Sequence, residues 1–183
     1  KTLGRVLAYR DGKWDCNQRG GFPALADMEW GGTYQLQQYK GRHWMTYLGG
    51  SGTGYESVRE PLYVGVASTD KPITEAHEWQ ASDKPILHID DKDPQTGKKA
   101  ERVGIALSDN MKKWTRYAGN PVFAHEIAGG ITGDAHIQRM GDFYVMFYFS
   151  AFDPKRTYKA FNTFAVSRDL VHWTDWQGAD LII

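Results

Sequence analysis

Apolar positions along the chain come in short runs with a period near two, broken by Gly, Asp, Ser and Asn. The run at 131–150, ITGDAHIQRMGDFYVMFYFS, shows the pattern most plainly. It predicts a hairpin with one strand at 134–140, a turn at Gly141-Asp142 and a second strand at 143–150. The second strand is aromatic throughout, which predicts cover on both of its faces. The first opens with Gly133-Asp134-Ala135-His136. Strand alternation puts Asp134 and His136 on one face, so a carboxylate and an imidazole stand at the mouth of an otherwise apolar hairpin.

Two repeats organise the rest. The nine residues from Ala106 to Trp114 match Ala165 to Trp173 without a gap: a short strand, a Ser/Asp turn, then a Trp. An earlier copy starts at Gly65-Val66-Ala67-Ser68-Thr69-Asp70 and reaches Trp79 after a small insertion. A second repeat relates Gly41 to Tyr47 with Gly141 to Tyr148, with one residue of slip. Each complete unit then reads as strand, turn, aromatic strand, loop, small-residue strand, Ser/Asp turn and Trp-bearing strand. Four antiparallel strands repeated in series describe a propeller blade. The expected class is all-β, a five-bladed β-propeller seen incompletely, with two full four-stranded units and one partial unit. The units fall at roughly 22–90, 94–123 and 131–183 of a single domain spanning 1–183. Thr33 to Tyr39 is the expected inner strand of the first.

The spacing is uneven. The repeat alanines lie 39 apart (67 to 106) and then 59 apart (106 to 165), so the middle unit lacks its inner hairpin. The gap falls at 87–99, LHIDDKDPQTGKK, which is polar and carries no strand pattern. No helix is expected, because the best segment, 72–79, is too short to stand alone.

Composition narrows the partners. Lys plus Arg and Asp plus Glu are 22 each, which gives no reason to expect nucleic acid or an anionic membrane. No apolar run reaches the roughly 18 to 20 residues of a membrane span. The single Cys16 allows no internal disulfide. Seven Trp and ten Tyr suit a β core or a sugar-binding surface. The chain starts at Lys1 and stops inside the apolar run Leu181-Ile182-Ile183, as expected of a processed chain or an excerpt.

Several residues could carry chemistry. Asp134 leads, at the mouth of an inner strand, with His136 beside it as a hydrogen-bonding group. Asp27 and Glu29 precede the inner strand of the first unit, and Trp30-Gly31-Gly32 follows them with a ring on which a sugar can stack. Two carboxylates on neighbouring mouths would suit glycoside hydrolysis, which needs an acid and a base or nucleophile roughly 5 to 9.5 Å apart. Arg19, His43 and Arg59 are further candidates for lining the site, and Asp15 is a weaker acid of the same kind. The Gly-rich stretch 49–55 lacks the Gly-Lys-Ser/Thr ending of a phosphate loop. No zinc spacing and no Ser-His-Asp signature is present, and no cofactor or metal is expected. His125 and Glu126 carry only a faint metal signal. The in-register Ser/Asp turns and Trp114 and Trp173 are expected to be structural.

Gly-Asp-Phe-Tyr-Val-Met-Phe-Tyr at 141–148, followed by Ala-Val-Ser-Arg-Asp-Leu-Val-His-Trp at 165–173, resembles blades of the five-bladed β-propeller glycoside hydrolases. That group holds the family 43 arabinosidases and xylosidases, the family 32 fructosidases and the family 130 mannoside phosphorylases, and the likeness is nearest to family 43-like proteins of polysaccharide-degrading bacteria. The resemblance implies three carboxylates around a central funnel and a carbohydrate substrate. Asp134 matches one such position. Glu29 and Asp27 lie near the corresponding place of the first unit, although the inner strand there begins Thr33-Tyr34 without an acid. The resemblance also suggests an extracytoplasmic protein. A glycoside phosphorylase, a non-catalytic glycan-binding propeller and a protein-interaction scaffold are the alternatives.

Overall fold

The computed structural model describes residues 4–53, 62–75, 77–88, 101–125, 130–153, 160–178 and 181. All regular elements among these residues are strands, and the sheets are antiparallel. They fall into two compact units.

The first unit comprises Lys1–Asp27, Gln35–Asp91 and Ser108–Trp114. Its strands are β1 (Gln18–Pro23), β2 (Gln38–Tyr39), β3 (Arg42–Gly50), β4 (Leu62–Thr69) and β5 (Gln80–Ala81), in the order β1-β3-β4-β5 with β2 also on β3. The inner strand differs from the sequence expectation at 33–39. Only Gln38 and Tyr39 pair there, while β1 supplies the rest of the ladder, from Pro23↔Met45 to Gln18↔Gly50. The intervening residues loop out. Gly20-Gly21 hides this strand from pattern reading, because glycine is depleted in strands. Packing requires one of the pair: a Cβ on Gly21 would stand 2.4 Å from the Met45 sulfur. The turn at Lys40-Gly41 has φ of 52° and 70°, the positive pair that a type I′ hairpin demands.

Both faces of β3 and β4 are covered. Met45, Tyr47, Ala67 and Trp79 form one core cluster, with Val6, Leu7 and Trp14 against it. Trp44, Val66 and Met111 form another on alternate positions, the two-sided burial expected of a continuously apolar strand.

The second unit comprises Met28–Tyr34, Lys92–Leu107 and Thr115–Ile183. It holds β6 (Ala106–Leu107), β7 (Thr115–Arg116), β8 (Ile131–Met140), β9 (Phe143–Ala151), β10 (Ala160–Ser167) and β11 (Trp173–Asp175). The last four form a meander, β8-β9-β10-β11, around the expected Gly141-Asp142 turn. Phe123, Met146, Tyr148 and Ala165 are the core of one face, with Val103, Ile137 and Trp173. The other face carries a row of rings: Trp30 against Phe147 (6.2 Å between centroids), Phe147 against Phe164 (6.4 Å) and Phe164 stacked on Trp176 (5.1 Å).

The two larger sheets share a register. Ala67 faces Met45 as Ala165 faces Met146, and a buried Tyr follows two residues later in each, Tyr47 and Tyr148. The one-residue slip lies in the turns, Lys40-Gly41 against Gly141-Asp142. The Ser/Asp turns are structural. Ser167 Oγ accepts from the amides of Asp169 and Leu170, and Asp169 Oδ1 accepts from those of Val171 and His172. Ser108 and Asn110 repeat this pattern. In both turns the Trp indole N–H closes onto the carbonyl of a residue at positive φ, Met111 or Leu170.

In sequence between the strands of the large sheets, β6 and β7 form a two-stranded ladder, supported by a bridge from Val103 to Phe123. The residues expected to mark a missing hairpin lie largely at 89–100, outside the described residues.

Candidate functional site

Pairing of β8 with β9 is regular from Met140↔Phe143 to His136↔Phe147, and again from Gly133↔Phe149 to Ile131↔Ala151. Between these stretches Asp134 and Ala135 together oppose Tyr148, a one-residue β-bulge. Asp134 adopts φ 51°, a left-handed conformation that Asp tolerates better than most residues. Such irregularities re-aim side chains, and here both Asp134 and His136 are exposed. They line one concavity of about 200 Å³ with Phe147, Tyr148, Asn162, Thr163 and Leu181. Acid and imidazole do share a surface, but through the bulge and not through simple alternation.

His136 is oriented by its neighbour. Gln138 Nε2 lies 2.8 Å from His136 Nε2. An amide nitrogen only donates, so this ring nitrogen accepts and Nδ1 carries the ring proton. Gln138 is 8% exposed, and its Oε1 has no hydrogen-bond partner among the described residues.

Trp30 and Glu29 belong to the same unit. Gly32 N–H donates to the Glu29 carbonyl at 2.9 Å, and Gly31 has φ 74°. A type II turn needs that sign of φ at its third residue, which explains the Gly pair. The turn displays Trp30, 55% exposed, against Phe147. Glu29 faces elsewhere. Its backbone bridges Arg139, and its carboxylate lies 3.8 Å from the Arg139 Nε. That guanidinium itself bonds the Gly141 carbonyl at the turn. From Arg139 to Asp134 is roughly 16 Å of strand, beyond the range of a glycosidase carboxylate pair.

Another carboxylate, which spacing in the sequence does not single out, lies nearer. A Cβ built on Gly133 would stand 3.2 Å from Glu101 Oε2. Glu101 is anchored there by its carbonyl, which accepts from the Thr132 amide at 3.1 Å and from Arg102 Nη1 at 2.8 Å. Glu101 stands just past the polar gap in sequence and meets β8 only through the fold.

His125 is also organised on this sheet. Its Nδ1 lies 2.7 Å from Asp175 Oδ2 and 2.9 Å from the Tyr148 hydroxyl, which donates to Asp175 Oδ1 at 2.5 Å. Its Nε2 lies 3.9 Å from Asp153, and its amide donates to Thr132 Oγ1. The network grips both strands beside the bulge. No group of three or more His, Cys, Asp or Glu among the described residues is arranged to hold a metal ion.

In the first unit, Arg19 is drawn inward. Its side chain is 2% exposed, 3.2 Å from Asp15, and its guanidinium lies over the Tyr47 ring at 4.9 Å. The Nε contact suits an ion pair but is off-line for a hydrogen bond. Nη1 donates to the Ala8 carbonyl. Asp15, fully buried, also receives Arg10 at 2.8 Å and the Tyr47 hydroxyl at 2.8 Å. Burial pushes its carboxyl up, but hydrogen bonds from Arg10 and Tyr47 and the two guanidinium charges hold it below the ordinary range. Burial and Asp15 in turn raise the Tyr47 hydroxyl, which stays a donor. His43 pairs with Gln38 at the turn end of β3. Arg19 faces Gly49, roughly 20 Å further along the strand, so the fold does not bring these two together. The Asp27 amide donates to the Gln35 carbonyl within this unit. Arg59 lies outside the described residues.

Two solved structures match the whole chain. One is named "Glycoside hydrolase", with 62% identity and a TM-score of 0.91. The other is named as a complex of BT0996 and RGII, with 63% identity and a TM-score of 0.92. The chain spans 62% of the length of each. No family model matches the chain, and no curated protein does.

Proposed function

We propose that the chain is part of a five-bladed β-propeller glycoside hydrolase whose site includes the Asp134–His136 concavity. The observation that carries this reading is 62% identity, over the whole chain, to a protein named a glycoside hydrolase. The propeller is supported by the meander of the second unit, whose register recurs in the first. In such a blade the mouth of the innermost strand faces the central funnel, which is where the bulge displays Asp134.

Asp134 acts as the base that takes a proton from the attacking water, or as the acid that orients it. His136 donates through Nδ1 to a sugar hydroxyl, and Trp30 and Phe147 offer faces to the apolar side of a sugar ring. The name of the second relative makes RGII the first carbohydrate to try. Asp134→Asn in the full-length protein is expected to lower turnover of an RGII oligosaccharide by about three orders of magnitude or more, equivalent to roughly 4 kcal/mol of barrier. The thermal unfolding midpoint should stay within a degree or two of wild type. Unchanged turnover would remove Asp134 from the mechanism.

A further inference from the structure

We propose that Glu101 is the second carboxylate of this site and acts as the general acid, with Asp134 as the base; the inference rests on the glycosidase reading above. Hydrolysis of a glycosidic bond needs two carboxyl groups on opposite sides of it. Glu29, the obvious partner by sequence, is held at the far end of β8 by Arg139.

Glu101 meets the requirement by position. Its Oε2 is 3.2 Å from where a Gly133 Cβ would stand. One Cα–Cβ bond and one Cα step of about 3.8 Å then bring it within about 9 Å of the Asp134 Cα. The absence of a side chain at Gly133 is what opens this approach. Glu101 is fixed from behind. Its carbonyl takes the Thr132 amide, and Arg102 Nη1 spans the Glu101 and Gly130 carbonyls at 2.8 and 2.9 Å. The backbone is tied to the start of β8 while the carboxylate projects beside the bulge.

The surroundings point to a ligand independently of the two acids. Asp134 and His136 line a concavity with Asn162 and Thr163. Beneath His136, the nine-tenths-buried Gln138 keeps an unpartnered Oε1 among the described residues. Buried amide oxygens are costly to leave unmade, and a ligand hydroxyl beside His136 would supply the missing donor. In the reaction, Glu101 gives its proton to the glycosidic oxygen as that oxygen leaves the anomeric carbon. A water oxygen adds to the same carbon, and Asp134 takes the proton that the water sheds. One water is consumed, and the two carboxyl groups exchange protons with solvent to reset.

The test compares two probes in the full-length protein. One is an RGII oligosaccharide; the other is the dinitrophenyl glycoside of the sugar that wild type releases from it. Dinitrophenolate leaves without a proton. Glu101→Gln should therefore lower kcat/KM on the oligosaccharide by about 10²- to 10⁴-fold, stay within about tenfold of wild type on the aryl glycoside, and lose the alkaline limb of the pH profile. Asp134→Asn should lose both substrates. Equal effects of Glu101→Gln on the two probes, or none on either, would overturn the assignment while a dead Asp134→Asn keeps the glycosidase reading. An active Asp134→Asn would overturn both. Glu101→Asp, which keeps an acid at the position, controls for folding: it should regain part of the oligosaccharide turnover, and a loss as deep as that of Gln counts against the proton-donor role.

Discussion

Asp15 and Arg19 show how a charged residue's task depends on partners that lie away in sequence. An Arg on a Gly-rich strand reads as a group that could line a site. Its side chain instead completes a buried cluster of Asp15, Arg10 and Tyr47. Two guanidinium groups share one carboxylate that is wholly out of water, so the carboxylate is the element that cannot be spared. Asp15→Asn would strand Arg19 in the interior without a counter-charge. The expected loss is about 3 to 5 kcal/mol, read as a lower urea midpoint with the slope unchanged. A change under 1 kcal/mol would mean that Arg19 finds another acceptor.

At the level of elements, the repeat carried most of the legible information. Ser167-x-Asp169 and Ser108-x-Asn110 bond their own turn amides, chemistry local enough to be written in the sequence. The Gly141-Asp142 hairpin is local for the same reason. Two features were not legible. β1 is disguised by Gly20-Gly21, whose place is set by Met45 pressing on the strand from its partner. The bulge at Asp134 is set by how Gly133 and His136 register with β9, which no alternation rule reveals. Glu101 and His125 reach β8 through connections distant in sequence, and so neither could be paired with Asp134 in advance. Tyr148 joins these levels, since its hydroxyl bridges Asp175 and His125 opposite the bulge. Tyr148→Phe leaves a buried carboxylate oxygen without its donor. It should cost about 1 to 3 kcal/mol, measured by thermal or urea unfolding.

Across the whole molecule, each unit holds a carboxylate below its ordinary pKa. In the first it is Asp15, where burial opposes the shift but Arg10, Tyr47 and Arg19 outweigh it. In the second it is Asp169, lowered chiefly by its hydrogen bond with the His172 ring and by the His172 and Val171 amides. A carboxyl whose folded pKa is depressed adds stability that is complete above the unfolded value and is lost as pH falls through the folded one. The unfolding midpoint should therefore hold steady toward pH 5 and drop as the pH passes below about 3.8, the ordinary Asp value. Asp169 is exposed, so solvent and salt screen its share; Asp15→Asn should remove most of the acid-dependent slope. A midpoint independent of pH between 5 and 2 would contradict this.

The segment that loops out between β1 and β2 has one more consequence. Met28–Tyr34 belongs to the second unit, although the chain on both sides of it belongs to the first, and Ser108–Trp114 reverses the arrangement. The two units are interleaved along the backbone like alternate stitches. No single scission yields one intact unit and one intact remainder, because every cut leaves some piece of one on the wrong side. Truncation is thus a poor way to ask which half of this chain holds which property, and point substitutions such as those at Asp15, Glu101 and Asp134 are the sharper instrument.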